Sequence, residues 1–306
     1  MDRIAIGVDF GGTKIEAAAL DRSGAPVIRR RARTPSTYDE ALTTVRDLVL
    51  SIEAETHSVD RIGVGAPGSI SPKTGLLRNS NTHYMNGRAF ASDLSRELGK
   101  AVRTSNDANC LALSEAIDGA GAGARVVFAV IIGTGCGGGL VVDGRLIEGA
   151  NGVGGEWGHN PLPWPGELEV RHAPRCWCGQ PGCLETWISG SGLRRDFREV
   201  TGLDRTGEEI VAASRNGDTA SIAALDRYIE RLGRALASVI NLVDPDVIVL
   251  GGGMSNVDEI YSRVPDRIRE RVFSDVWNVP IRQARWGDSS GVRGAARLWD
   301  EPILQP

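Results

Sequence analysis

The stretch Arg3-Ile-Ala-Ile-Gly-Val-Asp9-Phe-Gly-Gly-Thr-Lys14, read beside Val126-Val-Phe-Ala-Val-Ile-Ile-Gly-Thr-Gly135, decides the fold. In the first, Ile4, Ile6 and Val8 alternate as a strand requires, and Gly11-Gly12 turns the chain. Ala17-Ala-Ala-Leu20 is a second apolar run, and Ser23-Gly24 turns into a third strand near Val27. In the second, an unbroken apolar run reads as a buried strand. Gly133-Thr-Gly135 bends it, and Gly139-Leu-Val-Val142 returns as its partner. Gly119-Ala-Gly-Ala-Gly-Ala124 lies between the two, a flexible stretch suited to a boundary. The chain therefore reads as one α/β plan used twice, with a cleft between the halves.

The intervening segments fit that plan. Tyr38, Ala41, Leu42, Val45, Leu48, Val49 and Ile52 recur at helical spacing over 38–55. Arg61-Ile-Gly-Val-Gly65 reads as a strand, Ser92 to Leu98 as a short helix, and Ala101-Val-Arg103 as a strand leading to Asn106-Asp-Ala-Asn109, where a helix begins. In the second half the expectation is a long helix over about 219–242, a strand at Val247-Ile-Val-Leu250 and a helix near 256–272. A strand near 279–284 and a last helix over Val292 to Trp299 complete it.

Composition narrows the function. A chain of 306 residues, 41% of them apolar, buries a real core as one large domain or two. Its net charge is −4 with basic residues spread out, which argues against nucleic acid or an anionic membrane as main partner. No run approaches 18 apolar residues, and the first strand begins at residue 3, so no secretory leader is expected. Five cysteines, three of them clustered, suit a reducing cytoplasm better than a disulfide framework.

Three glycine loops each follow a strand. Asp9-Phe-Gly11-Gly12-Thr13-Lys14 offers close backbone N–H groups, a hydroxyl and an ammonium to phosphate oxygens, with Asp9 placed to hold Mg²⁺. A strand follows rather than a helix, so this is not a Walker A loop. Gly133-Thr134-Gly135 belongs to a formal G-x-G-x-x-G match, yet a strand again follows, so the dinucleotide reading fails and phosphate contact remains. Gly251-Gly252-Gly253 follows a buried strand and leaves room for a flat base against backbone. Any one of the three is an ordinary turn; together they point to a nucleotide.

Gly155-Glu156-Trp-Gly-His159 and Cys176-Trp-Cys178-Gly-Gln-Pro-Gly-Cys183-Leu-Glu185 carry the most specific pattern. Three thiolates and one imidazole complete the tetrahedral set of structural zinc. Glu156 and Glu185 flank these ligands and are not needed by the metal. Asn106-Asp107-Ala-Asn109 is a plausible helix cap, but a carboxylate there can also take the proton of an attacking hydroxyl, the general-base role in kinases. Asn106, Glu156, His159 and Glu185 then supply hydrogen bonds to a polyol. His57, His83 and His172 have no such context.

These motifs, in order along essentially the whole chain, resemble the ROK family (repressors, open reading frames, kinases), whose zinc segment is specific and whose glycine loops are shared with the wider sugar kinase and actin superfamily. Gly65-Ala-Pro-Gly-Ser-Ile-Ser-Pro72, Gly158-His-Asn-Pro-Leu-Pro163 and Gly287-Asp-Ser-Ser-Gly-Val-Arg-Gly-Ala295 look closest to bacterial fructokinases, or manno(fructo)kinases. The resemblance implies duplicated actin-like (ribonuclease H-like) α/β domains closing on ATP, Mg²⁺ and sugar. One would span residues 1–118 and about 288–306, the other 119–287 with the zinc loop at about 156–186. It implies ATP-dependent transfer to the 6-hydroxyl of a hexose, fructose first, with mannose or glucose as lesser substrates. A glucokinase or N-acetylhexosamine kinase is the alternative, and a sugar-sensing regulator the remote one. By the same resemblance Asp107 is the base. Asn81, Asn106, Glu156, His159 and Glu185 contact sugar, the three loops contact ATP–Mg²⁺, and His159, Cys176, Cys178 and Cys183 bind zinc. Family members are often homodimers. Near Asn81, where such kinases often carry Trp, this chain has Tyr84, which leaves the hexose open. The phosphate loop at residue 9 leaves no room for the helix-turn-helix of family repressors.

Overall fold

A computed structural model of the chain describes residues 4–21, 23–56 and 59–300. Two compact units emerge. One comprises the chain up to Gly123, Gly139–Gly155 and the chain from Arg285; the other comprises Ala124–Gly138 and Glu156–Ala284. Sequence motifs placed the boundaries near 118/119 and 287/288, with the second half uninterrupted. Gly139–Gly155 instead groups with the first unit, where its backbone runs close to residues 108–112. A Cβ added at Gly139 would lie 2.7 Å from that of Ala112. Ser105 Oγ also donates to Glu148 Oε1 at 2.6 Å, and the Arg78 guanidinium donates to the Asn151 carbonyl at 2.5 Å.

In the first unit, β1 (Ile4–Phe10), β2 (Lys14–Leu20) and β3 (Pro26–Arg33) form an antiparallel meander. After α1 (Tyr38–Thr56), β4 (Val59–Ala66) adds parallel to β1. A small hairpin of β5 (Ser69–Ile70) and β6 (Leu77–Arg78) precedes α2 (Phe90–Leu98), β7 (Val102–Asn106) and α3 (Asp107–Asp118). The sheet order is β3-β2-β1-β4-β7. Helix α1 buries Tyr38, Ala41, Leu42, Val45, Val49 and Ile52, one stripe at helical spacing, against Ile6, Val8, Ile62 and Val64.

In the second unit's sheet the same plan returns. β8 (Val126–Ile132), β9 (Cys136–Val142), β10 (Arg145–Leu146), β11 (Val247–Gly251) and β12 (Ile281–Gln283) take the order β10-β9-β8-β11-β12. Third, second, first, fourth, fifth is the order in both sheets, the duplicated actin-like arrangement. Between β10 and β11 come α4 (Glu167–Arg171), α5 (Leu184–Ile188), α6 (Gly190–Thr201), α7 (Gly207–Arg215) and α8 (Thr219–Val243). Then α9 (Asp258–Arg269) lies between β11 and β12. Among the described residues no helix is long and apolar enough to cross a membrane.

The chain returns to the first unit through α10 (Ser290–Arg297), which packs on β1 and β4. Gly7 and Gly63 make that possible, since an added Cβ would fall 1.9 Å from Val292 O and 1.8 Å from Ala295 O. The fully buried Glu115 of α3 fixes the returning segment. Its carboxylate accepts from the N–H groups of Ala120, Arg285 and Trp286 at 2.8, 2.9 and 3.1 Å and from Ser290 Oγ at 2.9 Å. Four donors replace the water such a group loses on burial.

The second unit has a comparable anchor. Arg231 and Arg234, both buried on α8, hold Glu169 of α4 at 2.7–2.9 Å, and Arg231 also reaches Asp196 of α6 at 2.7 Å. Burial by itself would raise the Glu169 carboxyl, but the bonds from Arg234 and Arg231 outweigh it and hold the group down at about 2. This network pins the segment that leads into the cysteine cluster.

Candidate active site

Asp107 is the first residue of α3, where β7 ends. The helix begins there because Asn106 caps it, its Oδ1 accepting from Ala108 N at 2.8 Å. Asn106 Nδ2 donates to Gly68 O at 3.2 Å, so both ends of the amide are engaged within the unit. Asp107 Oδ1 also accepts from Ala108 N at 2.8 Å. Burial pushes the Asp107 carboxyl above its ordinary range, against the lowering effect of that N–H. A carboxylate fixed on a helix start and easier to protonate than usual suits a general base.

Asp9 ends up near it. Burial is the main cause that raises the Asp9 carboxyl to about 7, followed by the charges of Asp107 and Glu16, with Lys14 opposing. Such crowding of carboxylates is relieved by a cation, and the donor set suits a hard ion such as Mg²⁺. The turn itself is closed by Gly11 N donating to Lys14 O at 3.0 Å and by Thr34 Oγ1 donating to Gly11 O at 2.7 Å. Lys14 Nζ lies 3.8 Å from Asp288, and Gly291 faces the Asp9 carboxylate, where a Cβ would come within 2.8 Å. The segment 287–291 is thus part of the Asp9 surroundings.

In the second unit, His159, Cys176, Cys178 and Cys183 present ligand atoms that all lie within 4.8 Å of one another. His159 Nδ1 is 3.6 Å from Cys176 Sγ, and Cys178 Sγ is 3.5 Å from Cys183 Sγ. Disulfide sulfurs sit near 2.05 Å, whereas a zinc tetrahedron with ~2.3 Å bonds has sulfur–sulfur edges of roughly 3.8 Å. The geometry fits zinc. The knuckle is shaped by Cys176 N donating to Gln180 O and Gly182 N to Pro174 O, with Gly179 and Gly182 at positive φ. With Nδ1 turned to the thiols, Nε2 of His159 is the ring nitrogen left for another partner.

Glu185 follows directly, in the first turn of α5. Its Oε2 accepts from Cys136 N at 3.0 Å and its Oε1 from Trp177 Nε1 at 2.7 Å. Glu156 precedes the 3-10 turn Trp157–His159 and is half-buried. That turn is held by the buried Trp157, whose Nε1 donates to Gly137 O at 3.1 Å and whose ring meets Phe128 edge-on.

A cavity of about 450 Å³ opens beside Gly133, Thr134 and Gly253. Its size falls in the range of roughly 300–1,000 Å³ common for small-molecule sites. Gly190 and Ser191 from the start of α6, and Thr206 and Gly207 from the start of α7, complete one wall; Val211, Ala212, Met254 and Val257 make another. Two helix N-termini favour an anionic ligand, and the apolar wall suits a flat ring. The glycine loops divide their tasks. Gly135 lies against Glu185 rather than in the cavity, and Gly251 is buried at the end of β11. Gly252 holds φ +81, with Ile132 O only 2.6 Å from where a Cβ would be, so it makes the turn that presents Gly253.

Asn81 lies exposed in a turn pinned by Asn86, whose Oδ1 accepts from Ser80 N at 2.9 Å. Tyr84 in the same turn donates to Pro35 O at 2.9 Å. His83 and His172 are exposed, and His57 lies outside the described residues. The walls from α6 and α7 were not read from sequence. Ser189-Gly-Ser-Gly192 and Thr206-Gly207, small residues at two helix starts, were the signal for them.

The ROK family model matches residues 5–302. An N-acetyl-D-glucosamine kinase from Pectobacterium carotovorum subsp. carotovorum is 40% identical over 296 residues, 95% of this chain and 97% of that protein. A ROK hexokinase from Thermus thermophilus superposes with a TM-score of 0.84 at 29% identity, covering 96% of each chain. A ROK family glucokinase from Streptomyces griseus, solved with glucose and AMPPNP, gives 0.79 at 28% identity, covering 96% of this chain and 98% of that one. With a family match over nearly its full length, this chain belongs to the ROK family.

Proposed function

We propose that this ROK sugar kinase transfers the γ-phosphoryl group of ATP to the 6-hydroxyl of an N-acetylhexosamine, N-acetyl-D-glucosamine foremost. The observation that carries the sugar is the 40% identity, along nearly the whole chain, with an N-acetyl-D-glucosamine kinase. Fructose, the expectation from motif resemblance, yields to the alternative held beside it. The hexokinase and glucokinase likenesses, at lower identity, support the reaction class.

Asp107, Asn106, Asn81 and the Asp9–Lys14 loop belong to the first unit. Glu156, His159, Glu185 and the cavity beside Gly133, Thr134 and Gly253 belong to the second. Asp107 takes the proton of the 6-hydroxyl as its oxygen bonds to the γ-phosphorus. The bond from that phosphorus to the β-bridging oxygen breaks, ADP leaves, and the proton stays on the carboxyl until released to water. Asp9 would help hold the Mg²⁺ that comes with ATP, which would neutralise phosphate charge. Lys14, Thr13, Thr134 and the loop amides orient the phosphates, while Glu156, Glu185 and His159 Nε2 fix the sugar hydroxyls. Zinc at His159, Cys176, Cys178 and Cys183 would keep the knuckle rigid.

A coupled assay of ADP release with N-acetyl-D-glucosamine, N-acetyl-D-mannosamine, glucose, mannose and fructose tests the reading. N-acetyl-D-glucosamine is expected to give the highest kcat/KM, about tenfold or more above fructose, since a site built for an amide rejects a sugar that leaves its groups unpaired. A preference for fructose would reinstate fructokinase.

A further inference from the structure

We infer that Trp177 is a positioning residue for sugar binding: its indole N–H holds the Glu185 carboxylate in the orientation that meets the sugar. This rests on the assignment of Glu185 to the sugar site made above. Trp177 sits between two metal ligands, Cys176 and Cys178, so the knuckle fixes its backbone on both sides. Its Nε1 donates to Glu185 Oε1 at 2.7 Å, while the other carboxylate oxygen is taken by Cys136 N at 3.0 Å. These two N–H donors, one on each oxygen, set the plane of the carboxylate, and the Cys176 thiol lies 3.9 Å from Oε1. The Trp177 ring also meets the His159 imidazole edge-on, with centroids 5.0 Å apart and planes at 88°. One side chain thus touches both a ligand of the candidate metal and the acid beside it.

The indole is 51% exposed, so it is not there to fill a core. An exposed tryptophan whose N–H is spent on a single carboxylate, among Gly, Gln and Pro, is better explained by what it orients. Hydrogen bonds to charged groups are short and roughly twice as strong as neutral ones, so the loss is measurable.

Trp177→Phe keeps the ring against His159 and removes the N–H. Calorimetric titration of the zinc-loaded enzyme with N-acetyl-D-glucosamine should show Kd raised about tenfold or more. KM for the sugar should rise in parallel, with kcat, KM for ATP and zinc content nearly unchanged. The same substitution in a Glu185→Gln background should weaken sugar binding by a smaller factor, because the charged acceptor is already gone. An unchanged Kd in Trp177→Phe, an equal loss in both backgrounds, or a fall in zinc content that accounts for the loss would overturn the inference. A wild-type enzyme that binds and phosphorylates no sugar would instead overturn the assignment on which it rests.

Discussion

Asp107→Asn lowers kcat by about two to four orders of magnitude, the usual worth of a general base. Sugar Kd should move little, since the amide retains the shape and acceptor oxygen of the carboxylate. The pH profile makes the test sharper. Burial raises the Asp107 carboxyl above its ordinary value. The base works when deprotonated, so kcat/KM is present above that raised value and lost as pH falls through it. The acid limb should therefore lie above the range of an exposed aspartate and should vanish from the residual activity of Asp107→Asn. Near-wild-type turnover in the variant would remove Asp107 from the chemistry.

Cys178→Ser has the second large effect. Wild-type protein should carry about one zinc per chain, and this variant should lose most of it. Structural zinc in small fingers contributes roughly 10–16 kcal/mol of apparent binding energy at neutral pH, enough to decide whether such a peptide folds. Here two sheet cores and the Arg231–Arg234–Glu169–Asp196 network are built without the knuckle's cysteines, so the fold should survive. What loosens is His159, Trp177 and, through it, Glu185. Misplacing such groups by about 1 Å can cost on the order of a hundredfold. Sugar KM should therefore rise by about 10- to 100-fold while KM for ATP, which we propose binds in the cavity beside Gly133 and Gly253, should change by less than about threefold. Metal analysis and steady-state kinetics on both substrates check this. Equal damage to both, or no zinc in freshly purified wild type, would contradict it.

The parts of the molecule legible in the sequence are those whose cause is local. Ile4, Ile6 and Val8 alternate, and Gly11-Gly12 forces a turn, so β1 and β2 follow from a dozen residues. The cysteine spacing sets the knuckle in the same way, and the Asn106 cap sets where α3 begins. What stayed hidden depends on partners far along the chain. Residues 167–215 hold four helices that were not expected, because their apolar stripes are short: Leu193 and Phe197 in α6, Ile210 and Val211 in α7. The cavity walls at Gly190 and Gly207 exist only because Gly190 meets Gly133, just after β8, and Gly207 meets Met254, just after β11. Likewise Glu148, bonded to Ser105, and Gly291, facing Asp9, carry no signal in their own neighbourhoods. Only the acidic partners of Arg231 and Arg234, from α4 and α6, explain their burial on α8.

Transfer to the 6-hydroxyl is read from the reaction product itself. Enzyme, ATP, Mg²⁺ and N-acetyl-D-glucosamine are incubated together, and the sugar product is examined by phosphorus NMR with proton correlation. ADP and sugar phosphate are expected in equal amounts, with the phosphorus coupled to the two protons on carbon 6. Phosphate at another carbon, or ATP left intact while the sugar binds, would contradict it.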